Sequence, residues 1–192
     1  MTRTAFRPIA LALVSLFVGA AAQAAPFTVK AFDNSSSGGT GLATISLLAG
    51  QSFTVSAGSD DLWSAGPLPR FSDADGLTGV RFATATDDSG MPVGTRIGAK
   101  FGAWVQHRLA AAYGSLVGEI GGNYFVVGTS FNGVAASAGT LNLFYWDSNN
   151  SNNFGEITAQ VNVAGVPEPE TYALLLAGLG ALGFIARRRR PA

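Results

Sequence analysis

The stretch from Asp147 to Gly155 reads D-S-N-N-S-N-N-F-G and follows an apolar run that ends at Trp146. Its Asp and Asn side chains supply hard oxygen ligands, and a tight loop adds backbone carbonyls. Calcium takes about six to eight such oxygens. An EF-hand is excluded, because its loop needs Gly and Glu where this chain has Asn152 and Thr158. On composition alone, a plain Asx-rich hairpin loop without metal is favoured over a calcium site.

The elements that must position this loop are short strands separated by Gly, Asn, Asp and Ser. Period-two alternation and turn residues predict a two-sheet, all-β sandwich. A hairpin is predicted across Ala49-Gly50, and the spacing of apolar residues predicts a helix over 101–113. The predicted strands are 27–32, 43–48, 51–57, 80–86, 116–120, 124–127, 141–146 and 157–163.

The two ends of the chain predict export. Arg3 and Arg7 precede an apolar stretch at 9–20, and Ala22-Gln23-Ala24 is a typical A-x-A site, so residues 1–24 are interpreted as a signal peptide. A single domain is expected over 25–165. It contains six basic and ten acidic residues, a net charge of −4 that gives no basic surface for nucleic acid.

The last segment, 166–192, has three consecutive parts. Pro167-Glu168-Pro169 is rigid and polar, 171–186 is uncharged and apolar, and Arg187, Arg188, Arg189 and Arg190 form a basic cluster. An apolar helix followed by arginines predicts a transmembrane segment with its arginines in the cytoplasm. An ordinary C-terminal anchor is the alternative.

These three parts resemble the PEP-CTERM sorting signal. The resemblance implies that the tail first holds an exported protein in the inner membrane. An exosortase-type enzyme then recognises the Pro-Glu-Pro motif, removes the tail and passes the protein to the cell surface or the extracellular matrix.

The domain itself resembles the PA-IL-like galactose-binding lectins. The resemblance lies in Val117 to Gly122, Val127 to Thr129, Gly139 to Leu143 and Asp147 to Gly155. It implies a jelly-roll sandwich that binds sugar through Ca²⁺. The implied calcium ligands are Asp147, Asn152, Asn153 and the carbonyl of Ala65, which precedes Gly66-Pro67.

The sugar-contacting His and Gln of that family correspond here to Ser72 and Asp75, so a galactose preference does not carry over. Trp63, Trp104 and Trp146 are all expected in the core or at its rim rather than as a sugar platform. Of the three, Trp146, beside Asp147, is the best candidate for a residue that is exposed to a sugar.

No enzyme is predicted. The chain has no cysteine, and its one histidine, His107, lies among apolar residues, where a packed or half-exposed position is expected. The sequence therefore predicts a sorted surface or matrix protein that binds a glycan or exopolysaccharide with calcium. The alternative is a structural exopolysaccharide or biofilm matrix protein without a sugar ligand, and a hydrolase ranks third.

Overall fold

Two antiparallel sheets pack face to face around one apolar core. A computed structural model describes residues 23–165 and 169–188 of the chain. In chain order its strands are β1 Gln23–Lys30, β2 Leu42–Leu47, β3 Ser52–Ala57, β4 Trp63–Ser64, β5 Phe71–Ser72, β6 Arg81–Phe82, β7 Arg96–Gly98, β8 Ala103–Gln106, β9 Leu109–Ala112, β10 Leu116–Ile120, β11 Asn123–Val126, β12 Ser130–Val134, β13 Gly139–Tyr145 and β14 Phe154–Val163, and its helix is α1 Pro169–Arg188.

The first sheet has the order β12-β3-β14-β4-β5, with β1 also paired to β14, and the second has the order β11-β10-β13-β2. Two short hairpins, β6–β7 and β8–β9, lie outside these sheets. The all-β sandwich predicted from the sequence is confirmed.

Strand β14 shows how the sequence forces this packing. Ile157, Ala159, Val161 and Val163 are buried, and the residues between them are exposed. Burying a side chain of this size stabilises a fold by about 1.5–3 kcal/mol. The apolar face of β14 therefore meets Leu141 and Leu143 of the opposite sheet in a single core cluster.

The hairpin predicted across Ala49-Gly50 is wrong. Leu47 at the end of β2 pairs with Gly139 of β13, whereas Ser52 at the start of β3 pairs with Val134 of β12. The turn at Gly50 connects the two sheets instead of joining neighbours in one sheet. A turn residue marks a reversal of the chain, but it does not decide which strands pair.

The helix predicted over 101–113 is also wrong. This segment forms the β8–β9 hairpin, in which Ala103 pairs with Ala112 and Gln106 pairs with Leu109. Its two turn residues, His107 and Arg108, have positive φ angles of 48° and 66°. Side-chain-bearing residues adopt this left-handed conformation at a cost of about 1–2 kcal/mol each, so they give no turn signal in a sequence.

The hairpin covers the outer face of the second sheet. Ala111 packs with Val117 and Trp146 there, and the indole Nε1 of Trp146 donates to the carbonyl of Trp104 at 2.9 Å. Trp63 and Trp146 are completely buried, while Trp104 is half-buried.

The predicted end segments are only partly described. Residues 1–22, 166–168 and 189–192 lie outside the described residues, and with them most of the predicted signal peptide and Pro167, Glu168, Arg189 and Arg190. The predicted cleavage site between Ala24 and Ala25 falls inside β1, where these residues pair with Asn162 and Val161. The boundaries of the predicted domains stay a prediction.

The tail forms α1, which ends with Arg187 and Arg188 in its last turn. No helix within 23–165 and 169–188 is long and apolar enough to span a bilayer, and the predicted membrane crossing stays a prediction. The uncharged run 171–186 has 16 residues. At about 1.5 Å per residue, such a run falls short of a hydrocarbon core of about 30 Å.

Candidate functional site

The loop that follows β13 passes from the second sheet to the first and is tied down at both ends. Ser36 brackets Asp147, because its hydroxyl accepts from the Asp147 N–H at 3.1 Å and donates to the Asp147 carbonyl at 2.9 Å. At the other end, Gly155 has a φ of 83°, and a Cβ there would lie 3.1 Å from the Cα of Trp63. Glycine is thus required where the loop enters β14.

Asp147 is nearly buried, with 5% of its surface exposed. Its carboxylate accepts from the backbone N–H of Ser148 at 2.6 Å. Burial raises the pKa of Asp147, opposed by hydrogen bonds from the Ser148 N–H, the Asn153 side chain and the Asn149 N–H, and by the charge of Arg70. A desolvated carboxylate of this kind gains from a nearby cation.

Asn153 lies beside Asp147 and is equally buried, with 5% exposure. Its amide nitrogen donates to the carbonyl of Ala31 at 3.3 Å. Its amide oxygen has no hydrogen-bond partner among the described residues. A buried acceptor without a donor is rare in folded proteins and indicates a place for an ion or a water.

A second buried polar atom without a partner in the described part of the chain is the hydroxyl of Tyr145. Burial raises the pKa of Tyr145, as does the charge of Asp147, and Arg70 lowers it. The hydroxyl therefore keeps its proton and lies within electrostatic reach of the same two charges. Of the two unsatisfied groups, Asn153 is the one that lies beside the desolvated carboxylate of Asp147.

The carbonyl of Ala65 reaches this loop from the segment between β4 and β5. It accepts from the side-chain nitrogen of Asn152 at 3.0 Å and from Nη1 of Arg70 at 3.4 Å. Gly66 permits this approach, because a Cβ there would lie 2.5 Å from the Asn152 nitrogen. The structure thus joins Ala65 to Asn152 and Asp147 to Asn153, and Arg70 lies near both pairs.

Sequence reasoning missed Arg70 and two aromatic residues beside it. The guanidinium carbon of Arg70 lies 4.4 Å from the ring centre of Phe101. Phe101 meets Tyr113 edge to face at 5.0 Å, and the Tyr113 hydroxyl lies 3.4 Å from that of Ser148. Phe101 and Tyr113 lie in the segment predicted as a helix, and Arg70 belongs to no local motif. Only the packing of residues that are distant in the sequence shows that these three side chains lie next to one another and beside Ser148.

The kinds of oxygen atom in this loop show whether it suits calcium. Asp147 offers a carboxylate, Asn153 an unsatisfied amide oxygen and Ala65 a carbonyl, and oxygens of these kinds suit a hard cation. Within 23–165 and 169–188, no group of three or more His, Cys, Asp or Glu could hold a metal. A cation here would therefore depend on neutral oxygens, and it would share the site with the positive charge of Arg70.

The three predicted sugar contacts are not brought together as an exposed site. Trp146 is completely buried beneath the β8–β9 hairpin and offers no face to a sugar, so the sugar contact predicted for it is wrong. Ser72 is 2% exposed, and its hydroxyl lies 3.5 Å from the carbonyl of Gly114. Asp75 is exposed, but its carboxylate accepts from the N–H of Thr129 at 2.7 Å.

The neighbour of these residues, Asp73, forms an ion pair with Arg81. Burial raises the pKa of Asp73, while the N–H of Asp75 and the charge of Arg81 lower it. A small pocket of about 130 Å³ borders this pair. Its volume suits a few waters better than a sugar ring.

Comparisons with known proteins agree with the predicted tail. A family model described as the PEP-CTERM protein-sorting motif matches residues 165–190. The chain carries this sorting signal, which indicates export and sorting at the membrane. No curated protein sequence matches the chain.

Among solved structures, the chain is similar to one described as "EclA N-terminal domain; PllA-like lectin". The identity is 22%, the TM-score is 0.43, and the match covers 72% of this chain and 94% of that one.

Proposed function

We propose that this is an exported, exosortase-sorted surface or matrix protein whose domain binds a glycan beside a calcium ion. The proposed ligands of the ion are Asp147, Asn152, Asn153 and the carbonyl of Ala65. The observation that carries the proposal is the unsatisfied, buried amide oxygen of Asn153 next to the desolvated carboxylate of Asp147. The sequence resemblance to calcium-dependent lectins points to the same residues.

Calcium would supply a positive charge for the Asp147 carboxylate and a partner for the unsatisfied oxygen of Asn153. Asp147 would bind as the charged ligand, and Asn153 would contribute its free oxygen. The carbonyl of Ala65 would give up its hydrogen bonds from the Asn152 amide and from Arg70 and would bind the ion instead. Asn152 is exposed, so its side chain has room to turn its oxygen inward.

The glycan surface is proposed on the rim formed by Arg70, Phe101, Tyr113, Ser148 and Asn152. Phe101 is 48% exposed, so the part of its ring that Arg70 does not cover is open to the C–H groups of a sugar. Arg70, Ser148 and Asn152 place hydrogen-bonding groups around it. Most carbohydrate sites combine these two kinds of contact.

A second candidate function is favoured by Arg70 itself. Its guanidinium already lies near Asp147 and donates to Ala65, so it compensates the buried charge without a metal. In this case the loop only stabilises the fold, and the protein is a structural component of an exopolysaccharide matrix.

The tail is proposed to act before the domain reaches its final place. An exosortase-type enzyme would read Pro167-Glu168-Pro169 outside the inner membrane, while Arg187 to Arg190 stay on the cytoplasmic side. Removal of the tail would release the domain to the cell surface or matrix.

Glycan-array binding of the purified chain, with calcium and with chelator, separates the two functions. Binding that chelator abolishes supports the first, and an array on which no glycan binds in a calcium-dependent way supports the structural function. The Asp147→Asn variant should behave as the wild type does in chelator. Asp33→Asn removes an equal charge from an exposed loop position and should bind as the wild type does.

A further inference from the structure

The tip of the β8–β9 hairpin holds an unusual pair of residues. His107 and Arg108 both adopt left-handed backbone conformations, which Asn-Gly would adopt with less strain. Residues held in strained backbone conformations cluster at functional sites, which makes this turn a candidate for one. Both side chains are exposed, so a ligand at the surface can reach them.

The neighbouring β11 strand holds the imidazole of His107 in place. The ring of His107 stacks on Tyr124 with the ring centres 4.3 Å apart and the planes 7° from parallel. Tyr124 in turn packs against Phe144 and Trp146. One face of the imidazole is therefore fixed by protein, and the other face is presented to solvent.

These residues border an open pocket of about 430 Å³, lined by His107, Arg108, Gly122, Asn123 and Tyr124. The volume accommodates a sugar ring, unlike the pocket at Asp73. Arg108 takes no part in the ion pairs found among the described residues, which join Lys30 to Asp33 and Arg81 to Asp73. Its guanidinium is thus available to an external anion.

Tyr124 brings a hydroxyl donor to the pocket. A phenol is protonated at neutral pH, and burial, followed by the charge of Glu119, raises the pKa of Tyr124 further. Glu119 is the nearby carboxylate, and it already accepts from the N–H of Gly122 and from the Asn142 amide. Among the described residues Glu119 forms no ion pair with Arg108, so the positive charge of Arg108 is not cancelled by direct pairing.

We propose that this pocket is a second glycan site, which binds an acidic saccharide through the carboxylate of a uronic acid. Arg108 pairs with the carboxylate, because a guanidinium matches its two oxygens. The exposed face of His107 supports the sugar ring, and Asn123 and Tyr124 hydrogen-bond to hydroxyls. The site shares no residue with the Asp147 cluster and needs no calcium, so it stands whether or not the calcium proposal does.

Titration calorimetry with short oligogalacturonate in chelator tests the proposal on the full chain. Wild type should bind it, and should bind a neutral galactose oligomer at least about tenfold more weakly. Arg108→Ala should lose at least about tenfold in affinity, and Arg108→Lys should retain part of it. Arg96→Ala, which removes the same charge from an exposed position in strand β7, should bind as the wild type does.

A variant that relieves the strain separates binding from folding. Replacing His107→Asn together with Arg108→Gly should raise the melting temperature by a few degrees, because this pair suits the turn. The same variant should no longer bind oligogalacturonate. Wild-type chain that fails to bind the uronate, equal binding of the neutral oligomer, or undiminished binding by this turn variant would each overturn the proposal.

Discussion

The side-chain nitrogen of Asn152 donates to the carbonyl of Ala65 at 3.0 Å, and this contact joins two loops that are 87 positions apart in the sequence. It brings the segment after β4 to the loop between β13 and β14. The oxygens proposed to bind calcium therefore come from both sheets of the sandwich. A ligand held there would connect the two sheets at one end of the core.

Arg70 distinguishes the two proposed functions. In Arg70→Gln the competing positive charge is gone, so calcium affinity should rise about tenfold if the cluster is a calcium site. Calorimetric titration of calcium into the variant and the wild type measures this. Under the structural alternative, the same change should lower the melting temperature without any calcium uptake, because Asp147 loses its compensating charge.

Phe101 should matter for the glycan and little for the fold. Phe101→Ala removes the exposed ring under Arg70 and should weaken calcium-dependent glycan binding by about tenfold. Its melting temperature should fall by only a few degrees, since nearly half of the ring is already exposed. Phe82→Ala is the matched control, because Phe82 is 54% exposed and takes no part in the rim. Equal losses in both variants would argue against the rim as the glycan surface.

Asp73 should make stability depend on pH with a defined sign. Its pKa in the folded state is raised above 3.8, chiefly by burial, so its contribution to stability is lost as pH rises through the folded value. As pH rises from 3.8 through the folded pKa of Asp73, the melting temperature of the wild type should therefore fall relative to that of Asp73→Asn.

Asp87→Asn provides a control of opposite sign. Burial raises the pKa of Asp87, but hydrogen bonds from Ser89 and Thr84 outweigh this effect and bring the pKa below 3.8. Wild type should lose stability relative to this variant as pH falls through the lowered value. Parallel pH profiles for the two variants would show that one of the shifts is assigned wrongly.

Glu168 should be needed for processing of the tail. Glu168→Ala should leave export intact and block tail removal, so that the longer form accumulates in the inner-membrane fraction. Fractionation and mass spectrometry of the intact protein measure this. Glu170→Ala changes a neighbouring glutamate outside the Pro-Glu-Pro motif and should be processed as the wild type is. Wild-type protein found at the surface with its arginines attached would contradict the sorting proposal.

The elements that the sequence predicts well are those with strong local patterns. The alternation of Ile157, Ala159, Val161 and Val163 marks β14, and the dense Asp and Asn residues mark the loop before it. The helix predicted over 101–113 is wrong because the spacing of its apolar residues fits a helix as well as the observed hairpin. Its turn residues, His107 and Arg108, give no turn signal.

Pairings between distant residues could not be read from local patterns. The approach of Arg70 to Ala65 and Phe101 depends on how separate loops pack, and so does the burial of Trp146 beneath the β8–β9 hairpin. The candidate calcium ligands were predicted from resemblance, whereas the residues around them became apparent only in the folded chain.

The central claim is that Asp147 and its neighbours bind calcium, and a calorimetric titration of calcium into wild type and Asp147→Asn tests it most directly. The wild type should take up one calcium per chain and gain thermal stability, since a ligand bound to the native state alone at about 100 times its Kd adds about 2.7 kcal/mol. Asp147→Asn should show neither effect, while Asp33→Asn should behave as the wild type does. A wild-type chain that takes up no calcium, or an Asp147→Asn variant that binds it equally well, would contradict the claim.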